Sequence, residues 1–296
     1  MIGVVNRAID NFLGRGEAAV TVPPLDGAFS PNRLLDDAKT RFAFEDIDCL
    51  TVVNGVVQAS AGDTVFTIAA DGTREVRFTA ETEIVCIAAL GENGLAVALA
   101  GGDIVIAGGP HDGRRVRAGG DVTCVTALVA SGDALYVANG SATNTTALWQ
   151  RDLLERNATG SVWRIGLDDG RTERIADGLA WPAGLALAGS SLVVSEAWKH
   201  RLMRIFLSGD SSPEELCHDL PGYPGRISRA PEGWWLAVFA PRSQLVEFIL
   251  REPAYRKRML KEVAQEYWVA PKLRTGRSFY EPLQGGGVKH LGLLKP

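Results

Sequence analysis

The sequence is poor in cysteine and has no long apolar run, and each scarcity excludes a class of protein. Only four cysteines occur in 296 residues, and none stands in the Cys-x-x-Cys or Cys/His spacing of a zinc site. A disulfide-rich framework is excluded by the same count. No run of about 18 apolar residues exists, so no membrane span is expected. The chain also lacks a Gly-x-Ser-x-Gly elbow, which leaves a serine hydrolase without support.

Charge and the first residues exclude two further classes. The formal net charge is −4 and no segment carries a dominant basic stripe, which argues against a nucleic-acid partner. The first residues lack the continuous apolar stretch of a signal peptide, because Asn6, Arg7 and Asp10 interrupt it. A cytoplasmic location is therefore expected. These residues are predicted to form a short helix within an N-terminal arm, residues 1–44.

A unit of about 38 residues recurs along the chain and is its most informative feature. Cys49, Cys86 and Cys124 occupy the same place in three successive units, and related segments follow from Ala183 and Gly225. Each unit contains a short apolar strand, a turn rich in Gly, Asn, Ser or Asp, and a second strand of alternating apolar residues. This period is typical of a β-propeller. The repeated cysteines are then expected to be small buried side chains.

The repeat predicts an all-β fold, a β-propeller whose domain covers residues 45–296. Its inner strands are expected to begin near five positions, which are Asp48, Val85, Thr123, Ala183 and Gly225. About five blades are visible along the chain. Two explanations are open, a five-bladed ring or a propeller of the six-bladed type whose sixth blade is missing or incomplete.

Two insertions interrupt the strand pattern and are predicted to be helical. The segments 147–156 and 253–265 each carry an apolar stripe at helical spacing, and Pro253 stands where a first-turn proline belongs. Helical excursions from a propeller commonly cover one mouth of its channel, so both helices are expected over the same mouth. The alternative is that they only cap exposed strand edges.

Three segments in a fixed order carry a family likeness. They are LLE-x3-TG at 153–160, DGL-x-WP-x-G at 177–184 and LPGYP at 220–224. In these segments the chain resembles the strictosidine synthase-like family, which belongs with lactonase and arylesterase propellers in one six-bladed group. The likeness runs from about Phe44 to about Arg242. It implies a six-bladed fold with a ligand site on the channel axis under the helical insertions, and it favours a missing or incomplete sixth blade.

The resemblance also allows a test for calcium, which lactonase relatives hold on the axis. The family's Pro-Asn-Gly motif stands here as Pro182–Gly184, with alanine at the centre, and its Pro-Asp-Asn motif stands as Pro224–Arg226. The equivalent places in the second and third blades are Val85 and Thr123. Calcium needs six to eight oxygen ligands with carboxylates among them. A central metal is therefore not expected.

Only the first blade keeps carboxylates near the axis. Either Glu45 or Asp48 stands at the ligand position, and the repeat leaves the register between them open. A carboxylate there would sooner pair with the guanidinium of Arg226 than hold a metal ion. No cofactor is expected.

A catalytic acid is harder to assign. Strictosidine synthases use a glutamate in the last blade as acid/base, and no residue of this chain matches it. Glu196 ends a second strand beside Trp198 and His200, and a carboxylate among aromatic rings suits general acid/base chemistry. The alternative is that Glu196 pairs with Arg201 and is structural. Glu45 is the other catalytic candidate.

The resemblance and these polar residues predict a metal-independent enzyme acting on a small organic substrate at the channel mouth. Its chemistry would be of the C–N bond-forming, lyase or hydrolase type. The expected substrate-binding residues are Arg226, Asp48, Asn139, Trp181, Trp198, His200 and Tyr223. One alternative is a propeller that binds a small molecule or a partner without turning it over. The other is a calcium-dependent hydrolase of the lactonase type.

Overall fold

The computed structural model describes residues 37, 39, 42–208 and 211–271. The helix predicted within 1–44 lies outside the described residues, and so does the C-terminal part of the predicted propeller domain. The division into an arm, 1–44, and a propeller, 45–296, stays a prediction.

Among the described residues, short alternating segments of the repeat form eighteen strands in five antiparallel sheets. The first sheet contains β1 (Cys49–Val53), β2 (Val56–Ala61), β3 (Thr64–Ile68) and β4 (Arg74–Thr79). The second contains β5 (Ile84–Leu90), β6 (Gly94–Leu99), β7 (Ile104–Ala107) and β8 (Arg115–Val116). The third contains β9 (Val125–Ser131), β10 (Ala134–Asn139), β11 (Gly160–Gly166) and β12 (Thr172–Leu179). The fourth contains β13 (Pro182–Ala188), β14 (Ser191–Glu196), β15 (Arg201–Phe206) and β16 (Glu214–Cys217), and the fifth contains β17 (Gly222–Ala230) and β18 (Gly233–Pro241).

The sheets follow one another in space as they do in sequence. Inner strand β1 packs on β5, β5 on β9, β9 on β13, and β13 on β17, as the blades of a propeller do. The all-β propeller predicted from the repeat is confirmed. Two inner strands begin away from their expected positions, since β9 starts at Val125 rather than Thr123 and β17 starts at Gly222 rather than Gly225.

The core lies between the sheets, because alternating residues of each strand bury both of its faces. Leu95, Ile104 and Leu135 are fully buried in the cluster that joins the first three sheets. A second cluster joins the third and fourth sheets. Cys49 and Cys86 are buried free thiols in the first cluster, and Cys124 is a buried free thiol that packs with Trp181 and Ala197. Their burial agrees with their expected role as small apolar side chains.

In the described part of the chain three α-helices leave the sheets, namely α1 (Trp149–Glu155), α2 (Gln244–Arg251) and α3 (Pro253–Glu262). Helix α1 lies between β10 and β11 as predicted, and α3 matches the second predicted insertion. Helices α1 and α3 contact each other, and the guanidinium of Arg256 donates to the carbonyl of Leu154. Helix α2 was not predicted from the sequence. Ser243 caps it by accepting a hydrogen bond of 3.2 Å from the amide of Val246.

The two sheets at the ends of the row keep apolar faces open to solvent. Leu50 and Val52 on β1 are 58% and 56% exposed, and Trp235 on β18 is 68% exposed. The described residues thus form five sheets, and the six-bladed type stays a prediction. In the described part of the chain, no helix has the length and apolar character needed to cross a membrane.

Candidate functional site

A cavity of about 390 Å³ opens where the inner strands of all five sheets begin. Four of the five expected starting positions line it, namely Asp48, Val85, Ala183 and Gly225. In the third sheet the lining residues are Val125 and Thr126 rather than Thr123. The cavity therefore lies on the propeller axis, at the mouth that α1 partly covers through Trp149. We call it the aromatic pocket.

Five aromatic side chains form much of its wall, namely Trp149, Trp181, Trp198, Tyr223 and Phe239. The rings of Trp181 and Trp198 are stacked, with centroids 5.1 Å apart and planes inclined by 27°. Trp149 meets Phe239 edge to face at 5.2 Å. Flat walls of this kind favour ligands with planar apolar groups, because aromatic rings gain energy from offset stacking and edge contacts beyond the burial of their area.

The insertion after β10 fixes two of these rings. Trp149 is the first residue of α1, and Leu153 and Leu154 on the same helix are buried beneath it. The indole Nε1 of Trp198 donates to the Oδ1 atom of Asp152 at 2.9 Å. The other oxygen of this buried carboxylate accepts from the amide groups of neighbouring asparagines. The insertion therefore supplies one wall of the pocket and orients another.

Glu196 lies beneath the aromatic wall and not in the pocket. Its side chain is fully buried, and its Oε1 atom accepts hydrogen bonds from the backbone amide of Ala180 at 2.8 Å and forms an ion pair with Lys199 at 3.1 Å. The Oε2 atom pairs with the guanidinium of Arg201. The carboxylate thus anchors the segment before Trp181, whose φ of 55° is unusual for a bulky residue. This placement favours the structural alternative for Glu196.

Arg226 enters the pocket from the fifth sheet and reaches the first two. Its Nη2 atom lies 3.2 Å from the Oδ2 atom of Asp48 and 2.9 Å from the carbonyl oxygen of Val85. Asp48 lines the pocket, whereas Glu45 lies in the preceding turn and does not. The structure therefore resolves the register in favour of Asp48, and the expected carboxylate–guanidinium pair is present.

Tyr223 and His200 belong to one buried network behind the pocket. The Oη atom of Tyr223 donates to the Oε1 atom of Glu247 at 3.0 Å. Burial and the charge of Glu247 hold the pKa of Tyr223 well above its ordinary value, so the phenol remains a donor. The Nδ1 atom of His200 lies 3.0 Å from the carbonyl oxygen of Gly222, and its Nε2 atom lies 3.4 Å from Glu247.

The structure brings together five of the seven expected substrate-binding residues and separates the other two. Arg226, Asp48, Trp181 and Trp198 line the pocket together with Tyr223. His200 lies on the far side of Trp198. Asn139 is fully buried below the pocket, where its Oδ1 atom accepts from the amide of Cys124 at 3.0 Å. Asn139 was predicted at the mouth because it ends β10. Its side chain instead turns into the sheet, where it accepts the hydrogen bond that the buried amide of Cys124 needs.

The charged and aromatic pocket residues that were not predicted are Glu83, Trp149 and Phe239. Glu83 directly precedes β5, two residues before the expected starting position Val85. The repeat could therefore have predicted that Glu83 lies at the mouth. Trp149 was assigned to the apolar stripe of α1 and not to a ligand site. Phe239 lies on β18, outside the inner-strand positions on which the prediction relied. At the mouth its ring packs against that of Trp149.

The axis does not fit a calcium ion. Ala183 and Val85 offer no side-chain oxygen at their places around the pocket, and the carboxylate of Asp48 is engaged by a guanidinium. Among the described residues, the one group with metal-ligand spacing is His111, Asp133 and Asp168. It lies in turns on the opposite face of the propeller and is largely exposed. The residues at the axis therefore do not supply the set of oxygen ligands that a central calcium ion needs.

Comparison with known proteins supports the likeness seen in the sequence. No family model matches the chain. A protein of Arabidopsis thaliana named strictosidine synthase-like 13 is 32% identical over 108 residues. The chain resembles the strictosidine synthase-like family. The match covers 35% of this chain and 27% of the relative, so the chain spans about a quarter of the protein that it matches.

One of two solved structures compared supports the fold with a TM-score above 0.5. A structure of a nidogen/laminin complex superposes with a TM-score of 0.55 at 16% identity, over 73% of this chain and 80% of that chain. Virginiamycin B lyase from Staphylococcus aureus gives a TM-score of 0.48 at 16% identity, over 66% and 64%. At these identities the similarity concerns the fold alone.

Proposed function

We propose that the aromatic pocket binds a compact organic molecule that combines a flat apolar ring with an acidic group. The proposal rests on one observation. Arg226 lines the same pocket as the stacked indole rings of Trp181 and Trp198. A volume of about 390 Å³ suits a small molecule.

Charge supports an acidic group on the ligand. The guanidinium of Arg226 stays protonated at all relevant pH values, and its Nη2 atom is shared between Asp48 and the carbonyl of Val85. A carboxylate on the ligand can compete with Asp48 for this group, because guanidinium binds carboxylates in a planar, two-point geometry. The side chain of Arg226 is 35% exposed, so part of the guanidinium remains accessible from the mouth.

A second candidate function is metal-independent catalysis of the C–N bond-forming, lyase or hydrolase type. The partial likeness to a strictosidine synthase-like protein favours it, and so does the presence of two carboxylates, Asp48 and Glu83, in one aromatic pocket. In this proposal Asp48 moves a proton and Arg226 stabilises developing negative charge. Glu196 is then a positioning residue that supports the wall containing Trp181.

Binding is tested with indole-3-acetate and its uncharged amide, measured by calorimetry. We expect the carboxylate to bind at least about tenfold more tightly, which corresponds to about 1.4 kcal/mol. Arg226→Gln should remove this preference, whereas Phe239→Ala should weaken both ligands equally. Equal affinity of the two ligands for the wild-type protein would contradict the proposed role of Arg226.

The matched control is Arg117→Gln, since Arg117 is an exposed arginine of the second sheet that pairs with Asp103 outside the pocket. It should leave both affinities unchanged. Catalysis is tested with a panel of lactones, esters and amine–aldehyde pairs in the wild-type and Asp48→Asn proteins. If a substrate turns over at the same rate in both, Asp48 has no catalytic role. If nothing turns over, only the binding proposal remains.

A further inference from the structure

Three side chains able to bind a metal ion meet in the turns on the face of the propeller opposite the aromatic pocket. His111 comes from the turn between β7 and β8 of the second sheet. Asp133 comes from the turn between β9 and β10, and Asp168 from the turn between β11 and β12, both in the third sheet. One atom of each side chain, a ring nitrogen or a carboxylate oxygen, lies within 4.8 Å of the other two. We call this group the turn cluster.

These atoms are too far apart for hydrogen bonds and are spaced much like ligands around one ion. The Nε2 atom of His111 lies 3.5 Å from Asp168 and 3.9 Å from Asp133, measured to the Oδ1 atom of each. An N–H···O hydrogen bond measures about 2.7–3.2 Å. Zinc binds nitrogen and oxygen at about 2.0–2.2 Å in a tetrahedron, which places ligand atoms about 3.3–3.6 Å apart. The first separation fits, and a small rotation of the exposed Asp133 side chain would close the second.

The imidazole cannot satisfy both carboxylates by itself. Its Nε2 atom carries at most one hydrogen, but it faces two acceptor oxygens. Apart from His111, the carboxylates of Asp133 and Asp168 have no partner among the described residues. Around a neutral imidazole the two aspartates leave two negative charges close together, which a divalent cation would neutralise.

Contacts between the turns hold the three groups in place. The carbonyl oxygen of Asp133 accepts from the amide of Leu167 at 2.7 Å, which joins the two turns of the third sheet. The guanidinium of Arg114, three residues after His111, donates to the carbonyl oxygen of Leu167 and so joins the second sheet to the third. The side chain of His111 is only 15% exposed. Groups held in this way lose less conformational freedom when they bind an ion.

We propose that the turn cluster binds a divalent transition-metal ion of the zinc class, which His111, Asp133 and Asp168 hold between the second and third sheets. An imidazole nitrogen with two carboxylate oxygens suits such ions, whereas calcium and magnesium prefer oxygen ligands alone. Three protein ligands leave the fourth tetrahedral position to water. The site does not depend on what the aromatic pocket binds, because the two lie on opposite faces of the propeller.

The test is calorimetric titration of the full chain with zinc chloride at neutral pH, in a buffer that does not bind zinc. We expect saturable binding at a site that His111 and Asp168 complete. His111→Gln and Asp168→Asn should each weaken it by at least about tenfold, since even the outer partners of a metal site contribute that much. Zinc should also raise the midpoint of thermal unfolding of the wild type more than that of His111→Gln, because an ion bound to the folded state stabilises it.

The matched control is His218→Gln, since His218 is an exposed histidine that lies 4.0 Å from one carboxylate only, that of Asp219. This variant should keep the zinc affinity of the wild type. If circular dichroism shows that His111→Gln does not fold, Asp168→Asn decides, because its side chain is 69% exposed. The proposal is overturned if zinc does not bind saturably, if the folded variants of the cluster bind as tightly as the wild type, or if His218→Gln weakens binding as much as they do.

Discussion

Tyr223 donates a hydrogen bond of 3.0 Å to Glu247, and this contact joins the two cavities of the propeller mouth. The ring of Tyr223 lines the aromatic pocket, while the carboxylate of Glu247 lines a second cavity, which charged side chains such as Arg201 and Arg242 surround. Tyr223 comes from the LPGYP segment of the fifth sheet, and Glu247 from the first turn of α2. The helix is therefore fastened to the propeller by a buried polar contact as well as by its apolar face.

We expect Tyr223→Phe to lower the free energy of unfolding by about 1–3 kcal/mol, because one oxygen of a buried carboxylate loses a donor. Urea denaturation measures this. Tyr136→Phe is a suitable control, since Tyr136 is also buried but has no hydrogen bond from its hydroxyl among the described residues. Equal effects of the two substitutions would show that the Tyr223–Glu247 contact contributes nothing specific.

Glu247 should make the free energy of unfolding depend on pH in the acidic range. Burial alone would raise the pKa of this carboxyl, but the hydrogen bond and charge of His200 and the charge of Arg242 lower it from 4.5 to about 2. A carboxyl with a lower pKa in the folded state stabilises the protein above its ordinary pKa, and this contribution is lost as the pH falls from about 4.5 towards 2.

The contribution amounts to about 3 kcal/mol. Wild-type protein should therefore lose more stability than Glu247→Gln between about pH 5 and pH 2, as measured by thermal unfolding in matched buffers. Parallel pH profiles of the two proteins would contradict the role of Glu247.

Glu196→Gln should destabilise the fold by about 3 kcal/mol or more, because it leaves the charges of Lys199 and Arg201 without their shared buried partner. The amide oxygen of glutamine can still accept from Ala180. If Glu196 only positions the aromatic wall, any turnover should persist in the fraction that remains folded. Loss of turnover from a fully folded variant would instead restore the catalytic hypothesis for Glu196.

Only one of the four thiols should react rapidly with a thiol reagent under native conditions. Cys217 is partly exposed and the other three are buried. Burial raises the pKa of Cys124 to about 12. The pKa of Cys49 is lowered to about 7 by a hydrogen bond with Cys86 and, against the effect of burial, by the charge of Arg226. Its thiolate should still react slowly, because access requires opening of the sheets. A colorimetric thiol titration of the native protein measures the number of rapidly reacting cysteines. A result of two would contradict this prediction.

Calcium should not bind at the axis with micromolar affinity. The pocket offers the carboxylates of Asp48 and Glu83, and Arg226 already pairs with the first. The guanidinium also repels a divalent cation. Calorimetric titration with calcium chloride tests this, and Arg226→Gln shows whether removing the positive charge creates a site. Tight binding to the wild-type protein would refute the prediction.

The repeat was sufficient to predict the propeller, the inner strands and the place of the mouth, because each blade buries the same alternating residues. Helix α2 was missed, since its run of Val246, Phe248 and Ile249 resembles a strand by composition. The capping serine before it was the available signal. Glu196 could not be assigned from sequence, because a strand end near the mouth leaves open whether a side chain turns towards the channel or beneath the next turn.

The contacts of Arg226 also bear on how the protein reaches its native state. Its hydrogen bonds join residues 178 and 141 positions apart in the chain, to Asp48 and Val85 respectively. Closing loops of that size costs conformational entropy that nearby contacts must first offset. During folding, the mouth of the propeller should therefore form after the individual sheets. During unfolding, its contacts should be lost before the sheets unfold. Hydrogen exchange at the first residues of the inner strands should then be faster than in the strand centres.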